Sequence, residues 1–371
     1  MKCPAMTTSF QIDSNPPRVR AHTPGGVVDL PALWLRERSQ DSSHLDARTR
    51  QRLFDPHQLP DDLRLVSAQA IDSRHVQLGF SDQYAGTFDL EAIAGDLAPA
   101  DHLPERIAWS GALDLARVRL DWTGLGTSAA LRAAAECFLV HGFIVLDNVP
   151  TQSESILEVA SAFGHVRETN FGRYFEVYSR PDSNDLAYRP VHLGPHTDNP
   201  YREPVPGIQL LHCLTNGTTG GLSTLVDSLS VIEQLRREDP EGIRLLAETP
   251  VQFRFIDQDT ELAEHRTIIQ HDAMQRITGV HYSPRLDYLP LMPETQMRRF
   301  QRARRRLGEL FVDSRYEIRF RLDDGQLMMF DNARILHGRT SFDPGEGYRH
   351  LQGCYIDIDG PRSLYRRIGG G

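Results

Sequence analysis

Between Asp96 and Pro104 the sequence runs through Leu97, Ala98, Pro99, Ala100, Asp101, His102 and Leu103, a stretch rich in Pro, Ala and Asp that reads as a linker. It divides the 371 residues unequally, into a small unit over 1–100 and a larger one over 101–371. A chain of this length exceeds a typical single domain, so two cores are expected rather than one. The small unit reads as β-rich. Val27 and Val28 follow the turn Thr23-Pro24-Gly25-Gly26, and His75 to Phe80 alternates before Ser81-Asp82-Gln83 turns the chain toward Tyr84 to Leu90. Between these two hairpins, Leu33-Trp34-Leu35-Arg36-Glu37-Arg38 leads into the polar stretch Ser39 to Arg50.

The larger unit begins helically and then turns to strands. Thr151-Gln152-Ser153-Glu154 matches a capping box, after which Ile156, Val159, Ala160 and Phe163 line one helical face up to Gly164. Apolar runs at Phe143–Leu146, Ile208–Cys213, Leu222–Val226, Ile318–Leu322, Gln326–Phe330 and Leu351–Ile358 predict strands, with Asp323-Asp324-Gly325 as a hairpin turn. The class expected is α+β, mainly β, with the strands able to close as a jelly roll. Hydrophobic residues at 40% and charged residues at 25% exclude wholesale disorder. No apolar run is long enough to cross a bilayer, and the first fifteen residues lack the apolar core of a secretory signal, so a cytoplasmic address is expected.

Cys3, Cys137, Cys213 and Cys354 have no short paired spacing and predict neither a disulfide framework nor a zinc knuckle. A net charge of −9 argues against a general nucleic-acid binder. Lys2 is the only lysine, so nearly all positive charge is arginine, a whole-chain bias. The run Arg298, Arg299, Arg302, Arg304, Arg305 and Arg306 surrounds Phe300, Leu307, Leu310 and Phe311 at helical spacing, which reads as a solvated amphipathic helix.

Chemistry enters with His196-Thr197-Asp198. In extended backbone, side chains two apart project to one face, so an imidazole and a carboxylate converge. His337, in Leu336-His337-Gly338-Arg339, supplies a third ligand; two His and one carboxylate on one octahedral face leave three positions open, as in non-haem Fe(II) oxygenases. The pair alone is weak, since His44-Leu45-Asp46 has the same spacing in a polar stretch. The surroundings separate them. Twelve positions after His337, Arg349 shares a strand face with Leu351, Gly353 and Tyr355, and a buried guanidinium needs an anion.

These motifs, with Leu210-Leu211-His212-Cys213, Gly220-Gly221-Leu222-Ser223-Thr224-Leu225-Val226-Asp227 and Arg349-His350-Leu351-Gln352-Gly353-Cys354-Tyr355, resemble the taurine-dioxygenase superfamily of Fe(II)/2-oxoglutarate dioxygenases. The N-terminal part resembles the small domain of γ-butyrobetaine and trimethyllysine hydroxylases. The resemblance implies a double-stranded β-helix catalytic domain in which His196, Asp198 and His337 bind Fe(II), Arg349 pairs with the distal carboxylate of 2-oxoglutarate, and Thr224 sits close to that cosubstrate. It also implies O2 as the oxidant's source, ascorbate as a stimulant, and a homodimer acting on a small molecule, with no nucleic acid or membrane partner.

In the butyrobetaine-hydroxylase subgroup a trimethylammonium group sits in an aromatic cage. Matching motifs put Phe171, Phe175, Tyr188 and Tyr355 at cage positions, with Tyr201 a further candidate, and Asn184 at a carboxylate-contacting position. Where that subgroup is Asn-rich, this chain reads Val280-His281-Tyr282-Ser283-Pro284-Arg285, with Arg189 and Arg202 also near. His281 and Arg285 are therefore substrate candidates, and the added positive charge favours 2-(trimethylammonio)ethylphosphonate over γ-butyrobetaine. Relatives that bind zinc carry Cys-x-Cys-x-x-Cys after the shared Leu33-Trp34-Leu35-Arg36; here those positions are Ser39, Asp41 and His44, so no structural zinc is expected. Two rival readings are a non-catalytic jelly-roll metal protein, such as a sensor, and a dioxygenase acting on a macromolecule, for which the arginine-rich helix is the only support.

Overall fold

The computed structural model describes residues 8–97, 103–178 and 191–368. It divides into two compact units, 1–101 and 102–371.

In the first unit, strands β1 (Ser9–Ser14), β2 (Pro17–Thr23) and β3 (Gly26–Asp29) form one antiparallel sheet, followed by the short helix α1 (Ala32–Arg36). Strands β4 (Leu65–Ala70), β5 (His75–Phe80) and β6 (Ala85–Asp89) form a second, and helix α2 (Leu90–Leu97) carries the chain into the stretch read as linker. The hairpins β2–β3 and β5–β6 are those the turn residues predict; β1 and β4, whose alternation is weaker, complete each sheet. Val19, Ala21, Leu35, Val76, Leu78, Phe80 and Phe88 make the core. The Ser39 hydroxyl meets His44 Nδ1 at 3.0 Å and Tyr84 Oη at 2.5 Å, whereas the Asp41 carboxylate accepts from Ser43 N and Oγ. Arg36 lies over Tyr84 (4.0 Å) and Phe54 (4.9 Å) and pairs with Asp82 at 2.8 Å.

The second unit opens with β7 (Arg119–Asp121), helix α3 (Ser128–His141), β8 (Phe143–Asp147) and helix α4 (Ser155–Phe163). The capping box does not form. Glu154 precedes α4 in a left-handed conformation (φ 70°) with no side-chain cap, its N–H donating instead to Gln352 Oε1 at 2.9 Å. The apolar face of Ile156, Val159, Ala160 and Phe163 is buried as the spacing requires. There follow β9 (Val166–Arg167), β10 (Phe175–Tyr178), β11 (Leu193–His196), β12 (Ile208–Asn216) and β13 (Ser223–Asp227). Between β13 and the closing strands lies a long excursion: helices α5 (Ser228–Glu238) and α6 (Pro240–Glu248), strands β14 (Val251–Ile256), β15 (Glu261–Arg266), β16 (Ile269–His271), β17 (Ile277–Val280) and β18 (Asp287–Tyr288), and helix α7 (Glu294–Phe311). The chain ends with β19 (Glu317–Phe320), β20 (Leu327–Asp331), β21 (Ile335–Arg339), β22 (Arg349–Ile356) and helix α8 (Asp359–Ile368).

Two sheets enclose the site. One has the order β10-β22-β12-β20-β8-β7 with β9 on β22; the other is β11-β21-β13-β19. Period-two alternation sorts their side chains. Phe143, Val145, Met328, Phe330, Leu225, Ile335 and Leu351 point between the sheets, and Ile144, Leu146, Leu327 and Met329 point outward under α3 and α4. Asp323-Asp324-Gly325 does turn the chain, with Gly325 at φ 76°, but β19 and β20 belong to different sheets, so it is a crossover and not a hairpin. The arginine run lies on α7, whose Phe300, Ala303, Leu307, Leu310 and Phe311 are buried. Arg298 pairs with Glu294, Arg304 with Asp287, and Arg306 with Glu238 and Glu309, so much of its positive charge is already compensated.

Candidate active site

His196 closes β11 and pairs across it with His337, the central residue of β21. The two rings stand 4.3 Å apart. Asp198 lies just past β11, where Asn332 clasps its backbone: Asp198 N donates to Asn332 Oδ1 at 2.7 Å, and Asn332 Nδ2 donates to Asp198 O at 2.9 Å. The carboxylate thereby meets both imidazoles. Asp198 Oδ1 is 3.4 Å from His196 Nε2 and 3.8 Å from His337 Nε2, and one ligand atom from each of the three residues lies within 4.8 Å of the others. Ligands about 2.1 Å from an ion and at right angles stand about 3.0 Å apart, so a slight contraction seats a divalent cation. The His196 ring is oriented by its Nδ1, which meets Gly194 O at 3.0 Å, leaving Nε2 for the metal.

These residues line a cavity of about 680 Å³, a size suited to small ligands. One end holds Arg349, Arg339, Ser223, Leu193, Leu211, Val177 and Met328. Arg349 is buried, its Nε finds no acceptor among the described residues, and burial pushes its pKa down to about 10. Arg339 is lowered to about 10 by burial and by Arg349. The desolvated Arg349 guanidinium, facing this space, calls for an anion. The opposite end is aromatic. Phe175 stands 5.4 Å from Tyr355 and 6.2 Å from Phe171; Phe255 is 6.2 Å from Phe171 and stacks on Tyr201 at 4.9 Å. Gly353 makes room for this wall, since a Cβ there would fall 2.3 Å from Phe175 Cζ.

Residues 111–355 match the model of the taurine catabolism dioxygenase TauD, TfdA family. The chain belongs to that family. It is 33% identical over 348 residues to a γ-butyrobetaine dioxygenase of Pseudomonas sp., covering 90% of this chain and 89% of that one. It is 27% identical to the mitochondrial trimethyllysine dioxygenase of Rattus norvegicus, over 92% of this chain and 83% of that one. A solved taurine dioxygenase from Burkholderia xenovorans matches with a TM-score of 0.48 and 17% identity, over 70% of this chain and 97% of that one. This TauD/TfdA member is an Fe(II)/2-oxoglutarate-dependent dioxygenase with O2 as co-substrate, its His-Asp-His triad formed by His196, Asp198 and His337. Among the described residues no helix is long and apolar enough to cross a membrane.

The electrostatics suit metal binding. Burial and the neighbouring His196 push His337 down to about 3, so its imidazole is neutral and able to ligate at physiological pH. Burial alone would raise Asp198, but the adjacent imidazoles and a hydrogen bond from Tyr355 Oη outweigh it and keep the carboxyl below the usual range. Of the substrate residues named from sequence, Phe171, Phe175, Tyr201, Arg285 and Tyr355 line the cavity of this dioxygenase. His281 does not: its Nδ1 meets Thr267 O at 3.0 Å and its ring packs toward Phe253. Thr224 is also off the cavity wall. On β13 the inward face is Ser223 and Leu225, which pair with Arg339 and His337, so Thr224 points outward beside Val226 and Ser223 takes the place by the cosubstrate end. Asn184 and Tyr188 fall outside the described residues.

Sequence reasoning missed Phe255, Asn199, Gln209, Ser283 and Arg339, all on the cavity wall. Arg339 was within reach, two positions beyond His337 on the same strand face. Phe255 was not, because it comes from the hairpin β14–β15, whose register against the jelly roll has no local signature.

Proposed function

We propose that this dioxygenase hydroxylates an unactivated C–H bond of a small trimethylammonium compound with an anionic tail. The observation that carries the reading is the group of five rings, Phe171, Phe175, Tyr201, Phe255 and Tyr355, on the metal's side of the cavity. A permanent cation is attracted to ring faces and needs no carboxylate partner. His196, Asp198 and His337 would hold Fe(II), and Arg349 would pair with the distal carboxylate of 2-oxoglutarate, with the Ser223 hydroxyl beside it. When bound with 2-oxoglutarate and O2, the ferrous ion supplies the oxidant that takes hydrogen from the C–H bond. No protein acid or base is required. The residues hold the methylammonium end, exclude water with Leu193, Leu211, Val177 and Met328, and present one carbon to the metal.

For the tail, Arg285 lines the cavity beside the buried Ser283 hydroxyl, and a guanidinium with a hydroxyl favours a phosphonate such as 2-(trimethylammonio)ethylphosphonate. The Pseudomonas relative favours γ-butyrobetaine as the second reading. A cytoplasmic homodimer completes the proposal. The test incubates the chain with Fe(II), ascorbate, 2-oxoglutarate and a panel of the phosphonate, γ-butyrobetaine, trimethyllysine and taurine, following succinate and hydroxylated product. Product from a quaternary amine is expected, the better tail being the one with the higher kcat/KM, and Asp198→Ala should abolish it. Turnover of taurine alone would refute the cage.

A further inference from the structure

Tyr355 belongs to both ends of the catalytic chemistry. Its ring, 5.4 Å from that of Phe175, is part of the aromatic wall, while its hydroxyl donates to Asp198 Oδ2 at 2.7 Å. The other oxygen of that carboxylate, Oδ1, is the one facing both imidazoles, at 3.4 and 3.8 Å. A carboxylate free to rotate can offer a cation either oxygen or both. Here Asn332 clasps the Asp198 backbone on both its N–H and C=O and so sets where the side chain starts, and Tyr355, holding Oδ2, opposes rotation of the carboxylate. Tyr355 is itself fixed, 4% exposed near the C-terminal end of β22 and paired across to Gln209 on β12.

We propose that Tyr355 is a positioning residue acting through Asp198. Its hydroxyl holds Oδ2 so that only Oδ1 meets the metal, and its ring couples occupancy of the aromatic cage to the set of that ligand. The coupling half rests on the trimethylammonium reading; the brace does not. A cation on the ring face draws electron density from the phenol and strengthens the hydrogen bond it donates, and it packs the ring where the hydroxyl reaches Asp198. Coupling between two bound species is reciprocal, so a quaternary amine that tightens metal binding is itself bound more tightly when metal is present. In this way the cavity holds its metal most firmly when a substrate is there to be oxidised.

The experiment titrates Co(II), a redox-quiet substitute for Fe(II), into the full chain and into Tyr355→Phe, with and without saturating γ-butyrobetaine. Calorimetry gives the affinities, and the visible absorption of bound Co(II) reports the ligand geometry. Tyr355→Phe should weaken Co(II) by about 10- to 100-fold, the usual effect of removing a partner of a metal ligand, and should alter the spectrum. γ-Butyrobetaine should still bind within about threefold of wild type because the ring face remains. It should tighten Co(II) in wild type and not in the variant. Phe175→Leu serves as the counterpart: weaker γ-butyrobetaine, unchanged Co(II) affinity and spectrum. Wild-type Co(II) affinity and spectrum in Tyr355→Phe overturn the brace; weakened Co(II) with the tightening intact overturns the coupling. The titration is repeated with 2-(trimethylammonio)ethylphosphonate; if wild type binds neither quaternary amine, the trimethylammonium reading and the coupling fail together, and the brace is decided by the metal titration alone.

Discussion

Among the described residues Arg334 is the largest fully buried side chain, and its removal should unfold the catalytic unit at a markedly lower temperature. Its guanidinium donates to both oxygens of Asp227, at 3.1 and 2.8 Å, and to the carbonyls of Val140 and Ile107 at 2.9 and 2.6 Å. Neither side chain of the pair reaches solvent beyond 1%. In Arg334→Met the methionine fills most of the volume, but the Asp227 carboxylate stays buried, with the Trp109 and Leu229 N–H groups left to it among the described residues. Leaving one charge of a buried pair uncompensated costs about 3–5 kcal/mol. For a unit of this size each kcal/mol moves Tm by about 2–4 °C, so a fall of roughly 10 °C is expected. Because Arg334 stands in the turn into β21, His337 should loosen too, and Co(II) affinity should fall with Tm. Thermal and urea denaturation of Arg334→Met, Asp227→Leu and the double variant measure this. The double variant should be far less destabilised than the sum of the singles, the carboxylate having been removed with its partner. Additive losses, or less than about 1 kcal/mol for Arg334→Met, would refute the claim that the pair is one buried electrostatic unit.

Arg349→Leu should raise the KM for 2-oxoglutarate by about 30-fold or more, the loss of about 2 kcal/mol from a buried charge pair, and leave the KM for the quaternary amine alone; equal rises in both would argue against its placement. His212 and His281 are buried and pushed down to about 4, desolvation being the first cause in each. Unfolding frees them to titrate near 6.5, so their contribution to stability is fully present above about pH 6.5 and lost as pH falls through about 4. His212→Leu should flatten the dependence of Tm on pH in that window, and an unchanged slope would count against the assignment. In the first unit, Tyr84→Phe keeps the ring under Arg36 but breaks the link to Ser39, which should cost about 1 kcal/mol, while added Zn(II) should leave the melting of that unit where it was.

What the sequence disclosed of this site was whatever rests on local periodicity. Strands β8, β12, β13, β20 and β22 are apolar runs bounded by turns, and the inward face of β22 follows from counting in twos from Arg349. The family resemblance pointed to Thr224, but Ser223 and Thr224 are adjacent hydroxyls, and the pairing with β21 puts Ser223 on the inward face. The capping box failed for a tertiary reason: Gln352, nearly two hundred residues away, takes the Glu154 N–H. Convergence of His196, Asp198 and His337 was legible as chemistry, but the clasp by Asn332 that brings Asp198 round was not, since it depends on a long-range contact between a turn and a strand end. His281 was a candidate because it falls where the related hydroxylases are Asn-rich, but it sits just past β17, where its Nδ1 meets the Thr267 carbonyl instead of the cavity.

Phe255 and Arg285 both arise in the excursion between β13 and β19, whereas every metal-binding side chain stands on or beside the jelly-roll strands. Part of the substrate wall is thus written on a stretch of chain apart from the oxidising centre. Drift in the excursion can trade one guest for another while the reactive centre is left untouched, which gives a lineage of such catalysts a route to new diets without having to reinvent its chemistry.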